Sequence, residues 1–273
     1  MKLYSFLYPH DWPARLVRQL GCRAELKVRE HTVAVRSIGG PAPLRVAYAS
    51  DFHAGPMTDG GIIAGACDAL RAAAPDVLLL GGDFVEHDAA QIEWVAPLLG
   101  AVPAPAGRFA VLGNHDWWTD APRITDALER AGVQVLVNRN VRLAEPYENV
   151  WICGLGDPWG SRPDPAASFE GASGMRLLLM HSPSGLVDVG RFSFDLALCG
   201  HTHGGQIALP GGIPIIVPHG PLSRRYARGR FEVGGGRAMI VSCGVGCSAL
   251  PLRVFADPEI LVCTISEAAV AEA

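Results

Sequence analysis

Short, almost uninterrupted apolar runs recur along the chain, and five of them end in polar residues. Runs of this length without alternation are typical of strands that are buried on both faces of a sheet. We therefore predict strands at residues 44–49, 76–80, 108–112, 176–180 and 195–199. Between the first three strands the apolar spacing changes to that of helices, at residues 60–73, 89–99 and 121–131.

The weaker patterns divide the chain into two halves. Residues 24–36 predict two short strands, and further short strands are predicted at 133–137, 141–143, 150–153, 238–242 and 259–265. The first half thus alternates strand and helix, whereas the second half is mainly β. This order favours an α/β fold in which two sheets pack together and helices lie outside them, rather than a single open sheet. We expect residues 1–40 to be an extension with edge strands of the same domain.

Composition limits the classes of function. The chain has 273 residues, 49% of them hydrophobic, and a net charge of −4, so it lacks the basic footprint of a nucleic-acid binder. Seven cysteines without paired spacing indicate buried free thiols rather than a disulfide framework. No signal peptide or membrane span is evident, so a cytoplasmic protein is expected. Residues 12–20 predict a short amphipathic helix, which either packs on the domain or contacts the inner face of the membrane.

The polar residues that follow the five strands are the candidate site. Carboxyl ends of strands in α/β sheets meet at one edge, where ligands bind. The set consists of carboxylates, imidazoles and one amide, which are ligands for divalent metals such as Mn, Fe, Zn, Ni or Mg. It comprises Asp51, His53, Asp83, Asn114, His115, Asp116, His181, His201 and His203. These are too many ligands for one ion, whereas two ions about 3.5–4 Å apart with a bridging carboxylate use them all.

Such a pair of cations suits the hydrolysis of a phosphoester. Two cations hold the phosphoryl oxygens and lower the pKa of an attacking water toward ~7. A separate acid must protonate the leaving oxygen. We predict that His115 is this acid and that Asp116 orients the His115 ring.

Five motifs, in this order, resemble the calcineurin-like metallophosphoesterase superfamily: Asp51-Phe-His53, Gly81-Gly-Asp83, Gly113-Asn-His-Asp116, His181 and Gly200-His-Thr-His203. The segments around 204–206, 223–229 and 244–253 are similar to a bacterial branch of YaeI- and YkuE-type phosphohydrolases. The resemblance implies a four-layer α-β-β-α sandwich of two mixed sheets, with residues 41–273 as the metallophosphoesterase domain. It assigns Asp51, His53, Asp83 and His203 to one metal. It assigns Asp83, Asn114, His181 and His201 to the other, with Asp83 bridging and manganese favoured.

The substrate is expected to be a phosphodiester or a pyrophosphate. The branch also contains enzymes that cleave UDP-2,3-diacylglucosamine, so a lipid sugar-nucleotide pyrophosphatase at the membrane surface is the alternative. A noncatalytic metal-binding scaffold is the alternative of another class. Arg224, Arg225 and Arg253 are candidates for binding a substrate phosphate, with solvated surface charge as the other interpretation. Trp117 and Trp118 either wall a substrate pocket or pack in the core.

Overall fold

A computed structural model describes residues 12–20, 24–35, 38–40 and 43–267. Residues 1–11 of the predicted extension, Arg36 and Cys22 lie outside the described residues. Two six-stranded sheets form the centre of the molecule, and both contain parallel and antiparallel pairs. The predicted arrangement of two mixed sheets is therefore confirmed.

The first sheet carries the three strands that alternate with helices. Its members are β1 (Lys27–Val35), β2 (Leu44–Ala49), β3 (Val77–Leu80), β4 (Gly107–Ala110), β5 (Gln134–Val135) and β14 (Glu259–Glu267). Their spatial order is β1-β14-β2-β3-β4-β5, and β2 to β5 run parallel. The carboxyl ends of β2, β3 and β4 therefore lie side by side at one edge.

The second sheet is built from the later part of the chain. Its members are β6 (Arg139–Arg142), β7 (Val150–Gly154), β8 (Met175–Leu179), β9 (Leu196–Cys199), β12 (Gly229–Glu232) and β13 (Ala238–Val241). The order is β12-β13-β9-β8-β7-β6, and β7, β8, β9 and β13 run parallel. A small separate hairpin joins β10 (Ala208–Leu209) to β11 (Ile213–Pro214).

The helices lie outside the sheets. They are α1 (Trp12–Gln19), α2 (Gly60–Ala72), α3 (Ile92–Gly100), α4 (Asn114–Thr119), α5 (Ala121–Arg130), α6 (Pro165–Ser168) and α7 (Leu186–Val189), with short 3-10 turns at Ala89–Gln91, Pro183–Gly185 and His203–Gly205. Asp59 begins α2 because its side chain accepts a hydrogen bond from the backbone N–H of Gly61. Pro122 occupies the first turn of α5, where it costs no helix hydrogen bond.

Three apolar clusters define four layers. The central cluster lies between the sheets and includes Leu79 of β3 and Leu177 of β8. A second cluster packs α2, α3 and α5 on the outer face of the first sheet, with Ile63 and Leu128 fully buried. A third covers the outer face of the second sheet and includes Val189 of α7. Because the strands are covered on both sides, their apolar runs need no polar alternation.

The prediction of two short strands in residues 24–36 was wrong. One nine-residue strand, β1, pairs in parallel with β14 along its whole length. Only Val33 and Val35 near its end are buried, because the rest of this edge strand is largely open to solvent. The alternation in the sequence therefore marks the end of one strand rather than a second strand.

Helix α1 forms where it was predicted, and it packs on the domain. Pro13 and Ala14 are buried, and the Arg18 guanidinium lies 3.2 Å from the carboxylate of Asp59 at the start of α2. Among the described residues, no helix is both long and apolar enough to cross a membrane. The described cysteines are free, and all of them except Cys247 are buried, as the sequence predicted.

Candidate metal centre

Loops at the carboxyl ends of strands from both sheets supply the predicted metal ligands. Strands β2, β3 and β4 lead into four of them, and β8 and β9 lead into the other three. All seven side chains are buried, with at most 7% of any residue exposed. They are Asp51, His53, Asp83, Asn114, His181, His201 and His203. The structure thus brings the whole predicted ligand set to one place between the two sheets.

One group of ligand atoms belongs to Asp51, His53 and His203. The Nε2 atoms of the two histidines face each other at 3.0 Å. An oxygen of Asp51 lies 3.6 Å from Nε2 of His203. The three ligand atoms lie within 4.8 Å of one another, which is the spacing of ligands around a single ion.

A second group belongs to Asn114, His181 and His201. Nε2 of His181 lies 3.2 Å from the side-chain oxygen of Asn114 and 3.2 Å from Nδ1 of His201. The two histidines two residues apart therefore turn different ring nitrogens, Nε2 of His203 and Nδ1 of His201, toward different groups.

Asp83 stands between the groups. Its Oδ2 atom is 3.5 Å from Nε2 of His53 and 3.3 Å from Nε2 of His181. One carboxylate oxygen thus faces both sets of ligands. This is the position of a carboxylate that bridges two ions in a dinuclear centre.

Five of these ligands adopt an unusual backbone conformation. Asp51, His53, Asp83, His201 and His203 all have positive φ angles, between 42° and 69°. For residues other than glycine this left-handed conformation costs roughly 1–2 kcal/mol each. Such strain persists at functional sites where the surroundings over-determine the loop. Here it occurs at five of the seven predicted ligands, in the loops that follow the strand ends.

Hydrogen bonds fix which ring nitrogens are available. Nδ1 of His181 lies 2.8 Å from the backbone oxygen of Gly81, to which it donates. Nδ1 of His53 contacts the carboxylate of Glu86. In the neutral rings, Nε2 of both histidines is therefore left as a bare electron pair that faces Asp83. A carboxylate or carbonyl behind a ligating histidine is the usual arrangement at metal sites.

The buried carboxylates shift the pKa values of the neighbouring histidines. Burial lowers the pKa of His53, but the carboxylates of Glu86 and Asp83 outweigh burial and raise it to about 9. Burial likewise opposes a charge on His181, yet Asp83 raises its pKa well above the usual range. Burial and the neighbouring His181 lower the pKa of His201 to about 3. Protons on two of the rings thus balance the buried carboxylates, and divalent cations can take the place of those protons.

A cavity of about 260 Å³ opens onto the metal ligands. Its walls include His115, Trp118, Trp159, Pro218, His219 and Ser248. The ring of Trp118 lies 5.2 Å from that of His115, and 64% of Trp118 is exposed. Trp117, in contrast, packs against the core beside the first sheet. Trp118 therefore walls the cavity, whereas Trp117 packs in the core.

The sequence profile of calcineurin-like phosphoesterases matches residues 44–205, which contain all seven predicted ligands. The chain belongs to this family. A relative named phosphodiesterase YaeI, from Escherichia coli, is 32% identical over 80% of this metallophosphoesterase and 81% of the relative. YkuE, a metallophosphoesterase of Bacillus subtilis, is 34% identical over 70% of this chain and 68% of its own. A metallophosphoesterase of Aquifex aeolicus is 28% identical, with 88% of this chain and 92% of its own covered.

Asp116 does not orient His115 in this metallophosphoesterase, so that prediction was wrong. The Asp116 carboxylate accepts hydrogen bonds from the backbone N–H groups of Asp83, Phe84 and Gly113, at 2.8, 2.9 and 3.0 Å. It is fully buried beneath the loops. Asp116 therefore links the loop after β3 to the loop after β4, and its hydrogen bond to the backbone of Asp83 helps to position that residue.

Glu86 is the functional residue that the sequence analysis missed. Its carboxylate contacts Nδ1 of His53, accepts a hydrogen bond from the Ser248 hydroxyl at 3.1 Å and lies 3.6 Å from Nδ1 of His115. The same His115 nitrogen lies 2.9 Å from the backbone oxygen of Glu86. The available signal was an acidic residue three positions after Asp83, in the same loop.

The predicted phosphate-binding arginines do not line the cavity. Arg253 is buried, and its guanidinium donates to the backbone oxygens of Gly246 and Ala256 while lying 3.3 Å from Nδ1 of His203. Because these hydrogen bonds occupy the guanidinium, the prediction that Arg253 binds a substrate phosphate was wrong. Arg224 and Arg225 are exposed, and neither is among the described residues that line the cavity.

We expect Glu86→Gln to weaken metal binding by roughly 10–100-fold, because a neutral amide is a poorer partner for Nδ1 of His53 than a carboxylate. Titration of the metal-free protein with Mn²⁺ against a chromogenic chelator measures the change. The matched control is Glu93→Gln, since the Glu93 side chain is about half exposed on α3. Equal affinities in Glu86→Gln and the native protein would show that Glu86 does not support the site.

Proposed function

We propose that this metallophosphoesterase hydrolyses phosphodiester or pyrophosphate bonds at a centre of two divalent metals. The observation that carries the proposal is the Asp83 oxygen that faces both groups of ligands. The name of the YaeI relative supports a diester as the bond that is cleaved. When bound, the two cations supply positive charge to the phosphoryl oxygens and make an attacking water more acidic.

The ligand atoms suggest how the metals are shared. We assign Asp51, His53, Asp83 and His203 to one ion, and Asp83, Asn114, His181 and His201 to the other. Both groups mix imidazole nitrogen with carboxylate or amide oxygen, a combination that suits Mn, Fe, Zn or Ni better than an ion that prefers oxygen alone. Manganese is the ion we propose to test first.

His115 is the residue that we assign to proton transfer. Its ring lines the cavity, 15% of its side chain is exposed, and Nδ1 is occupied by the backbone oxygen of Glu86. Nε2 is therefore the nitrogen left to give a proton to the leaving oxygen. The backbone N–H of His115 donates to Oδ1 of Asp83 at 2.9 Å, which fixes the acid relative to the metal ligands.

The other interpretations of the sequence are weakened or left open. A noncatalytic metal-binding scaffold needs the ligand set but has no use for His115 in the adjoining cavity, so the position of His115 favours an enzyme. The lipid sugar-nucleotide pyrophosphatase stays a prediction, and so do the cytoplasmic location and the phosphate-binding role of Arg224 and Arg225. Release of UMP from UDP-2,3-diacylglucosamine in detergent micelles separates the pyrophosphatase from a general diesterase.

Asn114→Ala is expected to reduce the turnover of bis-p-nitrophenyl phosphate with Mn²⁺ by about 100-fold or more, because losing a ligand removes a few kcal/mol of charge stabilisation. Release of p-nitrophenolate at 405 nm, about the maximum of its absorbance, measures the rate. The control is Asn140→Ala, whose amide donates to backbone oxygens of Ser168 and Glu170 beside the second sheet. Full activity in Asn114→Ala would contradict the proposed centre.

His115→Gln should slow the hydrolysis of diesters with poor leaving groups more than that of diesters with good leaving groups. An alkoxide leaving group needs a proton, so its release should slow by roughly 10²–10⁴-fold, whereas release of p-nitrophenolate should slow much less. The rates of the two diesters are compared at saturating Mn²⁺, with His31→Gln on β1 as the control. If both substrates lose activity equally, His115 does not act as the acid.

A further inference from the structure

Two neighbouring loops beside the metal cavity expose large apolar side chains. One is the hairpin of β10 and β11 with the residues that follow it, and the other precedes β14. Six side chains, each about half exposed or more, form what we call the apolar rim: Leu209, Ile213, Ile215, Ile216, Leu250 and Phe255. Clustered exposure of this kind marks an interaction surface, whereas single exposed apolar residues do not.

The two loops are joined to each other by hydrogen bonds. The backbone N–H of Ala208 donates to the oxygen of Val254 at 2.8 Å, and that of Val254 donates to the oxygen of Gln206 at 2.9 Å. The Gln206 amide also donates to the backbone oxygens of Ser248 and Leu250. The apolar rim is therefore part of one ordered surface.

The rim borders the metal cavity on one side and α1 on the other. Ser248 and Pro218, which adjoin the two loops, line the cavity. On the far side, Ala14 and Val17 of α1 share a small pocket with Pro251. Leu16 of α1 is also exposed. A flat partner that covered the rim would thus reach from α1 to the mouth of the cavity.

The charge beside the hairpin is opposite to that of the whole protein, whereas the loop before β14 carries Asp257 two residues after Phe255. The chain has a net charge of −4, yet no acidic residue occurs between Asp195 and Glu232, where all four charged residues are arginines. Two of them hold the hairpin directly. Arg228 donates to the backbone oxygens of Phe255 and Gly211, and Arg224 donates to that of Ile215. Apolar side chains flanked by arginines fit a lipid surface that carries anionic headgroups.

We propose that the apolar rim docks this protein on an anionic lipid bilayer, with Ile213 and Ile216 at the tip of the contact. The hairpin is the principal contact and α1 is secondary, because Ile213 and Ile216 are 62% and 72% exposed whereas Leu16 of α1 is 46% exposed. This surface is independent of the catalytic steps, since none of the six rim residues lines the metal cavity.

Flotation of the full chain with vesicles tests the proposal. We expect the protein to float with vesicles of phosphatidylcholine and phosphatidylglycerol, and to float much less with phosphatidylcholine alone. Binding should fall at about 0.5 M salt, where charges are screened over a few ångströms. Ile213→Ser combined with Ile216→Ser should lower the partition coefficient by at least about tenfold. Val187→Ser, which replaces an equally exposed residue on α7, should leave it unchanged.

Three results would overturn the proposal. The first is no binding of the native protein to either vesicle. The second is equal binding by the native protein and the double variant. The third is a native dimer, seen by sedimentation without lipid, that the double variant dissolves, because the rim would then pair with a second copy. Thermal unfolding shows whether the double variant is folded, and Leu250→Ser provides the same test if it is not.

Discussion

The buried carboxylate of Asp83, which faces two groups of ligands at once, is the interaction on which this structure depends. The seven predicted ligand side chains are buried together, and several of their nitrogen atoms lie within about hydrogen-bonding distance of one another. Nε2 of His53 and Nε2 of His203 are separated by 3.0 Å, so either one of them carries a proton that the other accepts or a cation lies between them. The protein brings these groups together at a cost in desolvation and backbone strain, and a pair of divalent cations would offset that cost.

The fold supplies the rigidity that this arrangement needs. Parallel strands of both sheets end at one edge, so short loops can deliver ligands from five strands without long excursions. Five of the seven predicted ligands have positive φ angles, and Asp116 accepts N–H groups from the loops after β3 and β4. The positions of the predicted ligands on these two loops are thus coupled to each other through backbone hydrogen bonds.

Much of this could be predicted from the sequence, because buried strands and the ligands at their ends are local patterns. The apolar runs located β2, β3, β8 and β9 to within about a residue or two, and the motifs that follow them contain the seven side chains that the structure brings together. Features that depend on distant contacts were not predictable. The role of Asp116 depends on the backbone N–H of Phe84, which lies 32 residues away in the chain. The role of Arg253 depends on how its own loop folds back, because the guanidinium donates to the backbone oxygens of Gly246 and Ala256. Glu86 is similar, since its importance comes from contacts with His53 and Ser248. The positive φ angles of the ligands were not predicted, because aspartate and histidine adopt this conformation more often than most residues but still only in a small minority of positions.

The metal content of the purified protein tests the central claim most directly. After reconstitution with excess Mn²⁺ and gel filtration, mass spectrometry of the metal should give about two ions per chain. His203→Ala and His201→Ala should each retain about one, because the two histidines serve different ions. A native stoichiometry of one, or the loss of the same single ion in both variants, would contradict a centre in which Asp83 joins two metals.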